Sequence, residues 1–256
     1  MKATLLCATA LSEENQCWLR SRRQLQLTDE PTDWVLKPNE SGLLQLSHAA
    51  EQVRGPLVVD FLHPKVKHKM KSIRSGRQPL IRAMGKTSEA FTVWDLTAGL
   101  GGDAVVLANA GHAVNGFEKN PVLYLMLNTA LKVWQDSEPD HPIHQKKLLK
   151  FTYGDSIEIL KSHPSQGPDS IYIDPMFPAK KKGRLSQGPM QWVQSLLSGE
   201  NSDIQQLLSL ALEVAHNRVV IKRGLKAETI EGPLQFSYKG TSVRYDMYKK
   251  RLDLNQ

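Results

Sequence analysis

The chain has little of what marks secreted or membrane proteins. It contains two cysteines, Cys7 and Cys17, too few for a disulfide framework and without the partners of a zinc site. No apolar run approaches the roughly 20 residues of a membrane-spanning helix, and the first residues turn polar too early for a signal peptide. We therefore expect a cytoplasmic protein with no membrane association, no metal and no obligate protein partner.

Acidic residues are missing from one long segment. Between Phe61 and Ser88 there is no Asp or Glu but there are eight Lys and Arg, so this segment carries more charge than the net +7 of the whole chain. A second basic cluster lies in the stretch PAKKKGR. Either cluster alone is compatible with an ordinary solvated surface, but two acid-free clusters indicate polyanion binding. The residues predicted to make these contacts are Lys65, Lys67, Lys69, Lys71, Arg74, Arg77, Lys180, Lys181, Lys182 and Arg184.

The order of apolar runs predicts two domains. Residues 1–88 have short apolar runs separated by turn-forming residues, which predicts a small β-rich N-terminal domain that also carries the basic segment. Residues 89–256 alternate between strand and helix patterns, which predicts an open, largely parallel α/β sheet. Its last two runs are separated only by KGTS, too short for a crossover helix, so they should form an antiparallel hairpin. A Rossmann-like parallel sheet closed by such a hairpin is typical of S-adenosylmethionine methyltransferases.

A glycine-rich turn follows the first strand of this second pattern. In DLTAGLGGDAVVLA, residues 95–108, Gly99, Gly101 and Ala104 fit the G-x-G-x-x-A form of the dinucleotide fingerprint, and Glu118 follows about 20 residues later. Taken alone, this pattern indicates a dinucleotide-dependent oxidoreductase. The same turn and acidic strand end would serve any adenosine-bearing cofactor, S-adenosylmethionine included. A third alternative is a non-catalytic RNA-binding protein on the same scaffold.

The ends of the predicted strands supply the candidate cofactor residues, because ligands of open parallel sheets bind beyond the carboxyl ends of the strands. Gly99 and Gly101 allow close approach of the backbone to the methionine part of the cofactor. Glu118 is placed to accept hydrogen bonds from ribose hydroxyls, and Asp155 or Ser156 to meet the adenine edge. The full predicted cofactor set is Gly99, Gly101, Gly102, Asp103, Glu118, Lys119, Asp155, Ser156 and Asp174.

The fourth strand end reads IDPMFP, residues 173–178, and suggests chemistry at an aromatic amine. The lone pair of such a nitrogen is delocalised into the ring, so methyl transfer needs the amine to be held and polarised. Asp174 and the carbonyl of Pro175 can accept its N–H bonds, and Phe177 offers a face for stacking. The sulfonium donor is already activated, so proximity and alignment should supply much of the catalysis. We predict that Asp174, Pro175 and Phe177 form the catalytic site.

The motifs DLTAGLGGDAVVLA, FEKNP, YIDPMFP, VVIKR and KGTSVRYDMY together resemble the ribosomal RNA small subunit methyltransferase J family, over residues 55–248. The resemblance implies a cytoplasmic enzyme that uses S-adenosylmethionine to methylate the exocyclic N2 of one guanine near the 3′ end of bacterial 16S rRNA, either naked or in the small ribosomal subunit. Gly102 stands where members commonly have arginine, and Asp155 where they commonly have serine.

Overall fold

The computed structural model describes residues 3–6, 11–22, 25–28, 30, 32–49, 55–72, 78–85, 91–163, 166–175 and 203–249. Its strands are β1 (Ala3–Leu6), β2 (Leu25–Thr28), β3 (Trp34–Pro38), β4 (Leu44–His48), β5 (Leu57–Val58), β6 (Thr92–Asp95), β7 (Ala113–Glu118), β8 (Leu149–Tyr153), β9 (Ser170–Ile173), β10 (Arg218–Gly224), β11 (Leu234–Lys239) and β12 (Val243–Tyr248). Its helices are α1 (Glu13–Arg20), α2 (Pro64–Ser72), α3 (Pro79–Met84), α4 (Gly102–Asn109), α5 (Pro121–Ser137), α6 (Pro142–Gln145), α7 (Ser156–Ser162) and α8 (Ile204–Val214). Within these ranges, no helix combines the length and apolar character needed to cross a bilayer.

The described residues form two compact units, the first of which contains everything up to Leu62 and also the segment Asn120–Pro139. This first unit has a five-stranded sheet in the order β2-β1-β3-β4-β5, with β1 parallel to its neighbours and the other pairs antiparallel. Helix α5 contacts β4 and α1. Aromatic pairs stabilise these contacts, with 5.9 Å between the ring centroids of Phe61 and Trp134 and 5.1 Å between those of Trp18 and Tyr124.

The second unit contains His63–Lys119, Asp140–Phe177 and the residues from 201 onward. The grouping therefore differs from the expected division at residue 88: α5 belongs to the first unit, and the basic helix α2 to the second. Two independent folding domains with a boundary at residue 88 stay a prediction.

The second unit is built on a seven-stranded sheet in the order β11-β12-β10-β9-β6-β7-β8. Strands β6 to β10 are parallel, and β12 is antiparallel to both β10 and β11. This confirms the predicted α/β sheet and its terminal hairpin. The chain runs outward from β6 through β7 to β8, then returns to β9 on the other side of β6. The order thus reverses between β6 and β9, which is where open α/β sheets bind ligands.

Side chains of the central strands alternate between the two faces of the sheet. Ile171, Ile173, Val219 and Ile221 point to one face and are buried against Leu207 and its neighbours on α8. Tyr172 and Lys222 point to the opposite face, because side chains alternate along a strand. The face that packs against α8 anchors the sheet, and the opposite face carries the titratable groups near the point where the strand order reverses.

The terminal hairpin is fastened to the end of β10 by one buried arginine. The guanidinium of Arg244 donates to the carboxylate of Asp246 at 2.9 Å and to the carbonyls of Gly224 and Leu225 at 3.0 Å each. Asp246 is fully buried and also accepts a hydrogen bond from Ser237 of β11. The three strands β10, β12 and β11 are therefore joined by side chains as well as by their backbone ladders.

Candidate functional site

Strands β6 and β9 are tied together at the switch point by Thr97. The backbone N–H of Asp174 donates to Thr97 Oγ1 at 2.6 Å, and the backbone N–H of Thr97 donates to Asp95 Oδ1 at 3.0 Å. The residue that follows β9 is thus held against the residue that ends β6. Asp174 and Pro175 lie at this edge, as the sequence predicted, whereas Phe177 lies outside the described residues.

Lys222 of β10 joins two carboxylates that are far apart in the chain. Its Nζ lies 2.8 Å from Asp103 Oδ2 and 2.8 Å from Asp174 Oδ2. The hydroxyl of Tyr172 also donates to Asp103 Oδ2, at 2.7 Å. One ammonium group therefore fixes the positions of the carboxylate at the start of α4 and the carboxylate after β9.

The charges in this network oppose the effect of burial. Burial raises the pKa of Asp174, and the attraction of Lys222 reduces this rise without cancelling it. Burial also acts to raise the pKa of Asp103, but Lys222 and the Tyr172 hydroxyl outweigh it, so the pKa is lowered. Burial would lower the pKa of Lys222, but its two carboxylate partners raise it above its ordinary value. Lys222 is therefore a permanent cation that favours the ionised form of both partners.

Two further titratable groups, Asp95 and Lys69, lie close enough to Asp103 and Asp174 to interact with them electrostatically. Burial raises the pKa of Asp95 to about 8, against the opposing effect of the hydrogen bond from Thr97. Burial therefore favours the protonated form of Asp95. The ammonium of Lys69 on α2 adds to the attraction of Lys222, which lowers the pKa of Asp103 and limits the rise in the pKa of Asp174. One residue of the basic segment thus lies close enough to the site to influence its charges.

The glycine turn has the backbone conformation that only glycine adopts readily. Gly99 and Gly101 have φ of +55° and +74°, and Gly101 is the N-cap residue of α4. Among the described residues, no atom lies within 4 Å of a Cβ added to Gly102, so these residues leave the start of α4 uncovered at that position. This combination leaves room for a ligand beside the N-terminal end of the helix and Asp103.

Glu118 at the end of β7 is joined to this turn. Its Oε2 accepts a hydrogen bond from the backbone N–H of Gly99 at 2.9 Å, and its side chain is buried. This bond orients the Glu118 carboxylate, whose two oxygens offer about four acceptor positions in all. The geometry suits a ribose diol.

The third strand end is organised as a helix cap. Asp155 Oδ1 accepts hydrogen bonds from the backbone N–H groups of Ile157 and Glu158 at the start of α7, while its Oδ2 lies 3.9 Å from Lys119 Nζ. The hydroxyl of Ser156 donates to the carbonyl of Leu96. Ser156 therefore uses its single O–H to join this loop to the end of β6, and Asp155 retains one carboxylate oxygen that can face a ligand.

The structure brings together the predicted residues at the four strand ends, but it adds four that the sequence reasoning missed: Asp95, Thr97, Tyr172 and Lys222. Lys222 stands near the end of a predicted strand, so the strand-end argument applied to the other sites would have found it.

In the basic segment, Lys65, Lys67, Lys69 and Lys71 lie on α2. The predicted contacts Arg74, Arg77, Lys180, Lys181, Lys182 and Arg184 lie outside the described residues.

Comparison with known proteins gives a consistent assignment. A family model described as SAM-dependent methyltransferase, where SAM is S-adenosylmethionine, matches residues 19–250. A protein named ribosomal RNA small subunit methyltransferase J from Pseudomonas savastanoi pv. phaseolicola is 34% identical over 246 residues, covering 95% of this chain and 90% of its own length. Its namesake from Coxiella burnetii is 39% identical, covering 80% and 79%.

A solved structure agrees on the fold. The crystal structure of a SAM-dependent methyltransferase from Neisseria gonorrhoeae superimposes with a TM-score of 0.68 and 24% identity, covering 96% of this chain and 95% of that one. The glycine turn matches the dinucleotide fingerprint because proteins that bind different adenosine-containing cofactors share this turn geometry. On the sequence matches, the chain belongs to the SAM-dependent methyltransferases that are named ribosomal RNA small subunit methyltransferase J.

Proposed function

We propose that this methyltransferase transfers a methyl group from S-adenosylmethionine to the exocyclic N2 of a guanine in bacterial 16S rRNA, with Asp174 and Pro175 at the reacting amine. The observation that carries the proposal is the placement of Asp174. Its backbone is fixed by Thr97 and its carboxylate by Lys222, at the point where the strand order reverses. The names of the curated relatives supply the rRNA.

The cofactor is assigned to the strand ends from β6 to β8. Glu118 holds the ribose hydroxyls, Asp155 with Lys119 faces the adenine, and the open backbone from Gly99 to Gly102 accommodates the methionine part beside Asp103. When bound, the cofactor would supply a methyl group on a sulfonium, and breaking the S–CH3 bond would release a neutral thioether, which needs no acid. The residues of the chain therefore have to bind and align the two reactants, which is where proximity has its largest effect.

At the amine, Asp174 and the carbonyl of Pro175 accept its two N–H bonds. This holds the nitrogen with its lone pair directed at the methyl group and increases the electron density on nitrogen. As the bond to carbon forms, the nitrogen becomes cationic and its protons become acidic, so the carboxylate of Asp174 is in place to stabilise that charge and accept a proton. Lys222 keeps Asp174 ionised and oriented before the amine arrives.

Glu118→Ala tests the cofactor site. The variant loses charge-assisted hydrogen bonds to the ribose, so we expect S-adenosylmethionine binding to weaken by about 1.5–3 kcal/mol in calorimetry. The matched control is Glu158→Ala, because the Glu158 side chain is exposed on α7, where it forms an ion pair with Lys161. Equal cofactor affinity in wild type and Glu118→Ala, with the fold intact, would remove Glu118 from the site.

The basic helix α2 is assigned to RNA, and its exposed lysines allow a test. Lys69 influences the charges of the site, so the informative variant replaces Lys65 and Lys71, which are exposed. We expect Lys65→Ala with Lys71→Ala to flatten the plot of log affinity for rRNA against log salt, by roughly 0.7–0.9 for each phosphate that is no longer neutralised.

The control for that salt titration replaces Lys146 and Lys150, which are also exposed and lie near the β8 edge of the sheet. Because it removes the same charge, it accounts for the general effect of net charge. Identical slopes for the two double variants would show that α2 is an ordinary solvated surface.

The function itself is tested with labelled S-adenosylmethionine. We expect methyl transfer to bacterial small-subunit rRNA and none to large-subunit rRNA, and calorimetric binding of S-adenosylhomocysteine but not of NAD. Transfer to a protein or a small molecule, with none to rRNA, would contradict the proposal.

A further inference from the structure

An aromatic surface is exposed on strand β11, at the edge of the seven-stranded sheet. Phe236 is 53% exposed. The centroids of the Phe236 and Tyr238 rings are 4.7 Å apart, and the rings pack edge to face. The guanidinium of Arg82, from α3, lies 5.5 Å from the centre of the Tyr238 ring. We call these three residues the edge platform.

The edge platform lies on the same face of the sheet as the proposed catalytic residue Asp174. Tyr238 is paired with Tyr245 of β12, and Tyr245 is paired with Lys222 of β10. Paired residues of neighbouring strands point to the same face, and neighbouring strands are about 4.8 Å apart. Lys222, Tyr245 and Tyr238 lie on three successive strands beside Asp174. The distance across the sheet from Asp174 to Tyr238 is therefore three strand spacings, or about 14 Å.

Phe236 continues this face in the next row. Phe236 is paired with Met247 of β12, Met247 with Val220 of β10, and Val220 with Tyr172 of β9. Tyr172 is the residue that donates its hydroxyl to Asp103. Two adjacent lines of paired residues thus connect the site with the aromatic residues of β11. Ser237, between Phe236 and Tyr238, points to the opposite face and donates a hydrogen bond to Asp246.

The chemistry of the edge platform fits an unpaired nucleotide. Every base has a π face that stacks on an aromatic ring, and an arginine beside the ring adds cation–π and phosphate contacts. A guanine that reacts at N2 has to leave its base pair, and its neighbours in the strand are then unpaired as well. A strand with one base at Asp174 has about 14 Å to cover to the edge platform, so a base a few positions away along the strand can reach it.

We propose that the edge platform binds an unpaired base of the substrate RNA close to the target guanine, with Phe236 as the stacking residue and Arg82 at its phosphate. This inference rests on the proposed RNA substrate. It assigns the sheet edge a role separate from the helix α2, because stacking depends little on salt whereas phosphate contacts depend on it strongly.

The test uses a small-subunit rRNA fragment that the wild-type enzyme methylates. We expect Phe236→Ala to bind this fragment about 5-fold to 150-fold more weakly and to raise KM for RNA, with kcat at saturating RNA and S-adenosylmethionine affinity unchanged. Phe236→Trp, which keeps a stacking face, should bind like the wild type. Leu225→Ala is the matched control, since Leu225 is an exposed apolar residue, at 41%, in the turn after β10.

The outcomes separate this proposal from the proposed function. If the wild type methylates rRNA and Phe236→Ala binds it equally well, the edge platform is wrong and the function stands. If the wild type methylates no rRNA, the function is wrong and the platform with it. If Phe236→Ala changes only the oligomeric state in sedimentation, the surface contacts a second copy of this chain, and the proposal is overturned.

Discussion

Replacing Asp174 with alanine should lower kcat for methyl transfer by about 100-fold to 1,000-fold, the size of effect seen when one preorganised partner of a developing charge is removed. Asp174 is the group that accepts an N–H of the reacting amine and stabilises its charge as the bond to carbon forms. The affinities for RNA and for S-adenosylmethionine should change little, because other residues hold the RNA backbone, the ribose and the adenine.

Asp174→Asn provides the matched comparison. Its amide keeps the shape and one acceptor oxygen, which can still bond Lys222, but it cannot take a proton. We expect its kcat to lie between those of the wild type and Asp174→Ala in single-turnover measurements. Wild-type kcat in Asp174→Ala, with the fold intact by circular dichroism, would exclude Asp174 from the chemistry.

Replacing Lys222 with methionine should lower activity at neutral pH by a similar factor and make it strongly pH-dependent. Without the ammonium group, Asp103 and Asp174 lose the cation that lies 2.8 Å from each of them. The pKa of Asp174 is already raised by burial and should rise further. Below that raised pKa, Asp174 is protonated and no longer available as a carboxylate acceptor, so activity should recover as pH increases.

The pH profile separates this role from a structural one. A variant that is merely unfolded would lose activity at every pH, whereas Lys222→Met should recover in alkaline solution and Lys222→Arg should keep much of the wild-type activity and its profile. If Lys222→Met has wild-type activity at neutral pH, or a profile parallel to that of the wild type, Lys222 does not position Asp174.

Much of the methyltransferase fold was predictable from local pattern. The strand and helix patterns of residues 89–256 predicted the parallel sheet, and the short KGTS connection predicted the antiparallel pairing of β11 and β12. Asn120, which precedes a proline, caps α5 by accepting hydrogen bonds from the backbone N–H groups of Val122 and Leu123. These segments are regular because strand alternation and helix capping are encoded within a few residues.

The helices of the N-terminal half were missed for a physical reason. In α2 the sequence PKVKHKMKS alternates lysine with other residues, and Met70 is its one buried residue among those described. The apolar period of a helix is therefore nearly absent. Helix α1 is similarly polar, with Leu19 as its buried residue. Such helices are stabilised by what they pack against, which a local pattern does not reveal.

The network around Lys222 shows the same limit. Glu118 and Asp174 lie at the sheet edge where the sequence predicts them, because each stands at the end of its own strand. The joining of Asp103, Asp174 and Lys222 depends instead on β10 lying beside β9, since Lys222 is 48 positions from Asp174 and 119 from Asp103 along the chain. No local signal encodes that pairing, although a lysine near a strand end was visible in the sequence.

The central claim is that Asp174 directs methylation to the N2 of a guanine in small-subunit rRNA. The most direct measurement is mass spectrometry of nucleosides from small-subunit rRNA incubated with isotopically labelled S-adenosylmethionine and either wild type or Asp174→Ala. We predict that the label is found in N2-methylguanosine with the wild type and is nearly absent with the variant. Label in 7-methylguanosine or in a ribose-methylated nucleoside, or equal N2-methylguanosine with both proteins, would contradict the account.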